Sequence, residues 1–346
     1  MTRPLIQKGL TQAQHFFPPW LVLSLALATT IWVWQANVQQ IRANARLHFE
    51  ADIAAIEQTI TDRFNIYENT LRGVLAFVLA SREVERSEWQ TYVETSAITS
   101  RHPGIQGIGY AVRVDGADLA SHVRTVRQLE NPTYDVYPSG DRAQYFPILF
   151  LEPGNARNQR ALGFDMYSNP ARRAAMERAR DTGKASMSGV VTLVQETADD
   201  KQSGFLVYLP HYRSLASIAT VADRRNSLAG FVYSPFRMGD LMQGIWGNNP
   251  PSLRFRVYDG DRVNEAHFMY DSHPSFPQTN KNSLSDTRTV ERAGRLWTIQ
   301  YQTTSQFRAE NDLDDNALEV LVTGIVFSVL LFGITLSIAN TRTRAV

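Results

Sequence analysis

Two apolar runs bracket a chain that is otherwise mixed in character. Val320 to Ala339 is an uncharged stretch of 20 residues, enough at about 1.5 Å per residue to carry a helix across roughly 30 Å of hydrocarbon. Trp20 to Trp34 is shorter, but Phe16 and Phe17 at one end and Trp32 and Trp34 at the other resemble interfacial aromatic belts. A cleaved signal peptide is the competing reading, because Ala26, Leu27 and Ala28 have the spacing of a cleavage site. Cutting there would leave Ile31 to Trp34 as an exposed apolar stub, which favours an uncleaved anchor. From Val38 to Ala80 there is no proline and one glycine, and Ile53, Ile56, Ile60, Phe64, Tyr67, Leu71, Val74 and Val78 recur at spacings of three and four. That periodicity draws one apolar stripe along a helix. It predicts a stalk of roughly 60 Å that pairs with its twin, against the alternative of a long helix packed on its own domain.

Beyond the stripe the period shortens. Ser87 to Gln90 has the form of a capping box, opening a helix that stops near His102, Pro103 and Gly104. Strands are predicted over 105–114, 145–151, 185–195, 204–209 and 228–233, with a polar helix over 117–130 and a turn over 197–203. Pro170, behind two potential caps at Ser168 and Asn169, opens a helix that Gly183 closes. Residues 238–246 return to helix, and 253–258, 266–270, 287–291 and 296–302 alternate as antiparallel strands joined by Gly- and Asn/Pro-rich connections. The pattern is two successive small α+β units behind one long helix, with 305–318 as a helical link into the second apolar run.

Composition narrows the function. The 346 residues carry 35 Lys plus Arg against 34 Asp plus Glu, a net charge of +1 with no long basic run. There is thus no electrostatic footprint for nucleic acid. Absence of cysteine removes disulfides and thiolate chemistry. Arg3 and Lys8 before the first run, and Arg342 and Arg344 after the second, orient both termini toward the cytoplasm, although Arg42 and Arg46 work against this. About 280 residues would then face outward. The seven histidines form no i,i+4 pair and no zinc-protease motif, and neither a nucleophile elbow nor a phosphate loop is present. Glu152 and Asp165 are the one conceivable carboxylate pair, but a Glu-Pro at a strand end reads as a turn. Gly324 and Ser328 are spaced for close helix approach in a membrane.

Four segments, Tyr145 to Pro153 (YFPILFLEP), Leu162 to Ser168 (LGFDMYS), Ala179 to Gly183 (ARDTG) and Gly204 to Tyr212 (GFLVYLPHY), resemble in order and spacing the CHASE domain. That domain is the extracytoplasmic sensor of plant cytokinin receptors and of bacterial histidine kinases and nucleotide cyclases. The resemblance implies an α+β membrane protein with a stalk helix and two tandem PAS-like antiparallel-sheet units between transmembrane helices. It places a cytoplasmic N-terminus at 1–17, transmembrane helices at 18–37 and 318–340, the stalk at 38–82, a distal ligand-binding unit at 83–236, a proximal unit at 237–304, a link at 305–317 and a cytoplasmic tail at 341–346. Asp165 matches the aspartate with which cytokinin receptors hold an adenine group, while an aspartate capping the Pro170 helix is the plainer alternative. Met187, Leu206 and Tyr208 match positions lining that pocket, and Phe146 and Gly230 fall on strands expected to border it. Core packing would explain these five as well. Thr182 reads as architecture rather than site.

The resemblance implies a non-enzymatic inner-membrane sensor of a two-component system, with no cofactor, no metal and no nucleic-acid partner. Its expected partners are a small-molecule ligand, adenine-like among the options, a second copy in a homodimer, the membrane, and a cytoplasmic signalling module. Family members continue past the second span into a kinase, cyclase or phosphodiesterase, whereas the seven residues Asn340 to Val346 follow the second apolar run here. The expectation is therefore the sensor portion of a longer protein, or a chain acting on a partner through the membrane. A ligand-free structural or partner-regulating protein is the competing reading.

Overall fold

The computed structural model describes residues 4–101, 104–196, 201–213, 217–247, 249–275, 283–313 and 316–344, except for the side chains of 4–16, 316–317 and 342–344. The helix stop at His102 and Pro103, the start of the turn at 197–203, Arg3, and the side chains of Lys8, His15, Phe16, Arg342 and Arg344 lie outside the described residues. The elements are α1 (Pro4–Ala80), α2 (Arg86–Ser96), α3 (Ile98–Arg101), β1 (Ile108–Val112), β2 (Val114–Asp115), α4 (Leu119–Leu129), β3 (Gln144–Tyr145), β4 (Ile148–Glu152) and α5 (Ala156–Gln159). They continue through α6 (Pro170–Thr182), β5 (Ser186–Met187), β6 (Gly204–Tyr212), α7 (Val221–Ser227), β7 (Leu228–Arg237), α8 (Met238–Trp246), β8 (Leu253–Asp259), β9 (Phe268–Asp271), β10 (Ser285–Arg292), β11 (Arg295–Thr303), α9 (Ser305–Glu310) and α10 (Asn316–Arg344).

The chain divides into two compact units. One comprises the residues up to Asp52 and from Thr303, and both of its long helices are long and apolar enough to cross a membrane. Their apolar side chains, among them Trp20, Leu25, Trp32, Phe327 and Leu330, are exposed, as surfaces meant for lipid would be. The close approach expected at Gly324 and Ser328 occurs between these two helices of the same chain. A Cβ on Gly324 would lie 2.3 Å from Thr30 Cγ2, and the Thr30 and Ser328 hydroxyls are 3.3 Å apart.

The other unit, Ile53 to Gln302, holds the rest of α1 and all the sheets. A five-stranded antiparallel sheet runs β4-β1-β7-β6-β5, and a four-stranded one runs β10-β11-β8-β9. Alternation of side chains across the strands gives the larger sheet two buried faces. Phe205 and Phe236 point to α1, where they meet Phe64 and Tyr67 at ring distances of 6.0 and 5.0 Å. Leu206, Tyr208, Phe231 and Tyr233 point the other way, into a core closed by Ala175, Met176 and Ala179 of α6. Trp297 of β11 touches both Phe64 and Phe205 at 5.4 Å, so the two sheets share one hydrophobic centre.

This arrangement corrects the pairing expected of the stripe. Ile53, Ile56, Ile60, Phe64, Tyr67, Leu71, Val74 and Val78 are all buried within the unit, so a twin helix would find this face already covered.

Other differences are local. The strand expected at 145–151 is split, since Pro147 has no N–H to donate and the Phe146 N–H goes to a side chain instead of a neighbouring strand. The strand expected at 185–195 shrinks to two residues, because Val190 N–H turns away to Asp259 of β8. Helix α2 opens two residues earlier than the Ser87 box suggests, with the Glu85 N–H held by Glu88 Oε2 at 3.0 Å. The link at 305–318 divides into α9 and the start of α10, and α7 was not expected at all. Helix α6 follows its signals, capped by Asn169 and ended by Gly183 at φ 74°.

Candidate functional site

Asp165 is fully buried on the α6 side of the larger sheet. Its Oδ1 accepts from the backbone N–H groups of Phe146 at 2.8 Å and Tyr167 at 3.1 Å. Its Oδ2 has no hydrogen bond and faces Arg142 Nη1 at 3.3 Å. The flanking backbone is tied down by Asp165 N–H to Tyr137 O, Met166 N–H to Phe146 O and Ile148 N–H to Phe164 O. Asp165 does act as a cap, though of the short 3-10 turn Met166–Ser168 and not of α6. One oxygen is thus committed to the fold, and the other is held by a single cation that a ligand could replace. Glu152, the other half of the conceivable carboxylate pair, instead faces Arg86 of α2 at 4.0 Å.

The structure brings Phe146, Leu206 and Tyr208 together in one core with Met166, Phe231 and Tyr233. Met187 is also fully buried, on β5, where its N–H donates to Ala293 O in the β10–β11 turn and its C=O accepts from Arg178. Gly230 stands apart. It pairs with Val112 and His211, so it belongs to the α1 side of the sheet, away from Phe146 and Tyr208. Thr182 bonds to Arg178 O within its own helix.

A residue that the sequence pattern did not single out lies in the same core. Arg172 of α6 is 3% exposed. Its Nη1 donates to Met166 Sδ at 3.0 Å, its guanidinium lies 4.8 Å from the Phe164 ring centre, and its Nε has no acceptor. The signal was present in the spacing: Arg172 occupies the register that continues through Ala175, Met176 and Ala179.

Residues 82–270 match the family model for the CHASE domain, more than half of the chain. The chain belongs to the CHASE family. Among its relatives are "Hybrid signal transduction histidine kinase A" of Dictyostelium discoideum, 30% identical over 184 residues covering 48% of this chain and 8% of that protein, and "Probable histidine kinase 6" of Oryza sativa subsp. japonica, 23% identical over 267 residues covering 72% of this chain and 26% of that protein. The chain therefore spans only a small part of these relatives' length. Of solved structures, the periplasmic sensory domain of the Campylobacter jejuni chemoreceptor Tlp1 aligns with a TM-score of 0.43 at 8% identity, over 77% of this chain and 96% of that one.

On the α1 side of its larger sheet the CHASE domain has a cavity of about 530 Å³ lined by Trp89, Tyr110, Phe150, His122, His211 and Glu130 among others. Tyr110 Oη and His211 Nδ1 are 2.8 Å apart. Burial raises the Tyr110 hydroxyl pKa and lowers that of His211, so the phenol donates and the neutral imidazole accepts. Burial likewise lowers His122 and raises Glu130. Among the described residues no cluster of three or more His, Asp or Glu is placed to hold a metal ion.

Proposed function

We propose that this CHASE chain is the extracytoplasmic sensor portion of a transmembrane signalling receptor. The observation that carries the reading is a CHASE domain set between two helices whose exposed apolar surfaces suit a bilayer. A small ligand enters the α6 side of the larger sheet and displaces Arg142 from Asp165 Oδ2. Adenine derivatives fit, since a carboxylate oxygen freed in this way accepts from adjacent N–H groups. Ligand preference for one of two arrangements of the unit then shifts the population relayed through α1 and through β11 into α9, toward a cytoplasmic signalling module. A homodimer, if formed, uses a surface other than the α1 stripe.

The second reading, a ligand-free structural or partner-regulating protein, draws on the close packing of Phe146, Leu206 and Tyr208, which leaves their face filled by side chains.

Melting the full chain in nanodiscs with a panel of adenine derivatives separates the two. A ligand at 100-fold its Kd adds about 2.7 kcal/mol and raises the midpoint. Asp165→Asn is the informative variant, because it retains an acceptor for the Phe146 and Tyr167 N–H groups. Asp165→Ala would leave both buried donors unsatisfied, each costing about 1–3 kcal/mol. Loss of the ligand shift in Asp165→Asn is the expected result; an unchanged shift removes Asp165 from the site.

A further inference from the structure

The core on the α6 side contains hydrogen-bond donors without a proper acceptor. Arg172 is buried with no carboxylate within ion-pair distance among the described residues. The Tyr208 hydroxyl points to the same Met166 sulfur, at 3.5 Å, and the Tyr233 hydroxyl is buried with no partner. The two phenol rings are 6.0 Å apart, and burial holds both hydroxyls in the protonated, donating form. Gly109 makes the arrangement possible, because a Cβ there would lie 2.4 Å from the Tyr233 ring. A thioether is a weak acceptor, and an uncompensated buried guanidinium is strongly unfavourable. What the cluster lacks is an oxyanion.

We propose that Arg172, Tyr208 and Tyr233 anchor a carboxylate group of the ligand, with the Met166 side chain standing in for it until the ligand arrives. This rests on reading the Asp165 face as the ligand site and adds the ligand's chemical class. A carboxylate fits better than a phosphate, because one guanidinium neutralises one negative charge, whereas a phosphate carrying about two would leave a buried excess. Met166 suits its role, since an unbranched thioether side chain re-packs with little strain. The ligand would then offer N–H donors toward Asp165 and a carboxylate toward Arg172.

The test uses the full chain in nanodiscs, melted with succinate, L-leucine and benzoate, each beside its neutral amide. At least one carboxylate raises the midpoint while its amide does not. Arg172→Met abolishes that shift and raises the unliganded midpoint by about 2–4 °C, because an unpaired buried charge has been removed. Tyr233→Phe, which keeps the packing, weakens carboxylate binding about tenfold. No response to any carboxylate, a shift that survives in Arg172→Met, or a fall in that variant's unliganded midpoint each overturns the inference. If a neutral adenine derivative binds in an Asp165-dependent way while every carboxylate fails, the anion anchor falls and the sensor reading stands. If neither kind binds, both fall.

Discussion

Burial acts on charged groups differently on the two faces of the larger sheet. On the α1 side it keeps His122 and His211 below the ordinary imidazole pKa. The unfolded chain therefore binds protons that the folded one does not, and the stability these histidines contribute is complete above about pH 6.5 and is lost as pH falls through that value. Glu130 and Glu152, raised by burial, act in the opposite sense and increase stability as they protonate at lower pH. Between pH 7.5 and 6 the histidines dominate, so the melting midpoint should fall across that interval, with a shallower slope in His211→Gln; a flat profile in the parent protein would contradict the assignment. On the α6 side, Asp165 was legible through the family motif around it, but which turn it caps, Met166–Ser168 and not α6, was not readable from sequence. Arg172 was overlooked among the four arginines of α6, although its i, i+3, i+4, i+7 register with Ala175, Met176 and Ala179 marks it as the one turned inward.

At the scale of elements, the stripe on α1 was read correctly residue by residue, because helical periodicity survives any tertiary context. What covers it was not readable. Phe64 touches Tyr67, Phe205 and Trp297, so Phe64→Ala should destabilise the unit by about 3–5 kcal/mol in urea unfolding. Leu79→Ala, at an exposed position, should change it by less than about 0.5 kcal/mol. Equal effects would mean that the stripe is not the seam of the unit. Helix α6 was legible from its caps, which are local. Strand lengths around 145–151 and 185–195 were not, since they depend on distant partners, a carboxylate for the Phe146 amide and Asp259 for Val190.

For the whole molecule, the two sheets fall in one compact unit with the second half of α1. Trp297, packed on Phe205, and the Val190 N–H bond to Asp259 Oδ2 at 2.8 Å bind them together. The lack of native cysteine gives a clean background for topology. Asp261→Cys, in an exposed turn after β8, should react with a membrane-impermeant maleimide while the inner membrane is intact; labelling only after lysis would reverse the orientation. The link between Met187 and the β10–β11 turn has a consequence for how such a protein can change. That link joins the amide of residue 187 to the carbonyl of Ala293, and every amino acid except proline supplies the same amide. Substitutions at 187 can therefore change the side chain in the core and leave this tie between the two sheets whole, so that the inner surface can vary over generations without the join being rebuilt.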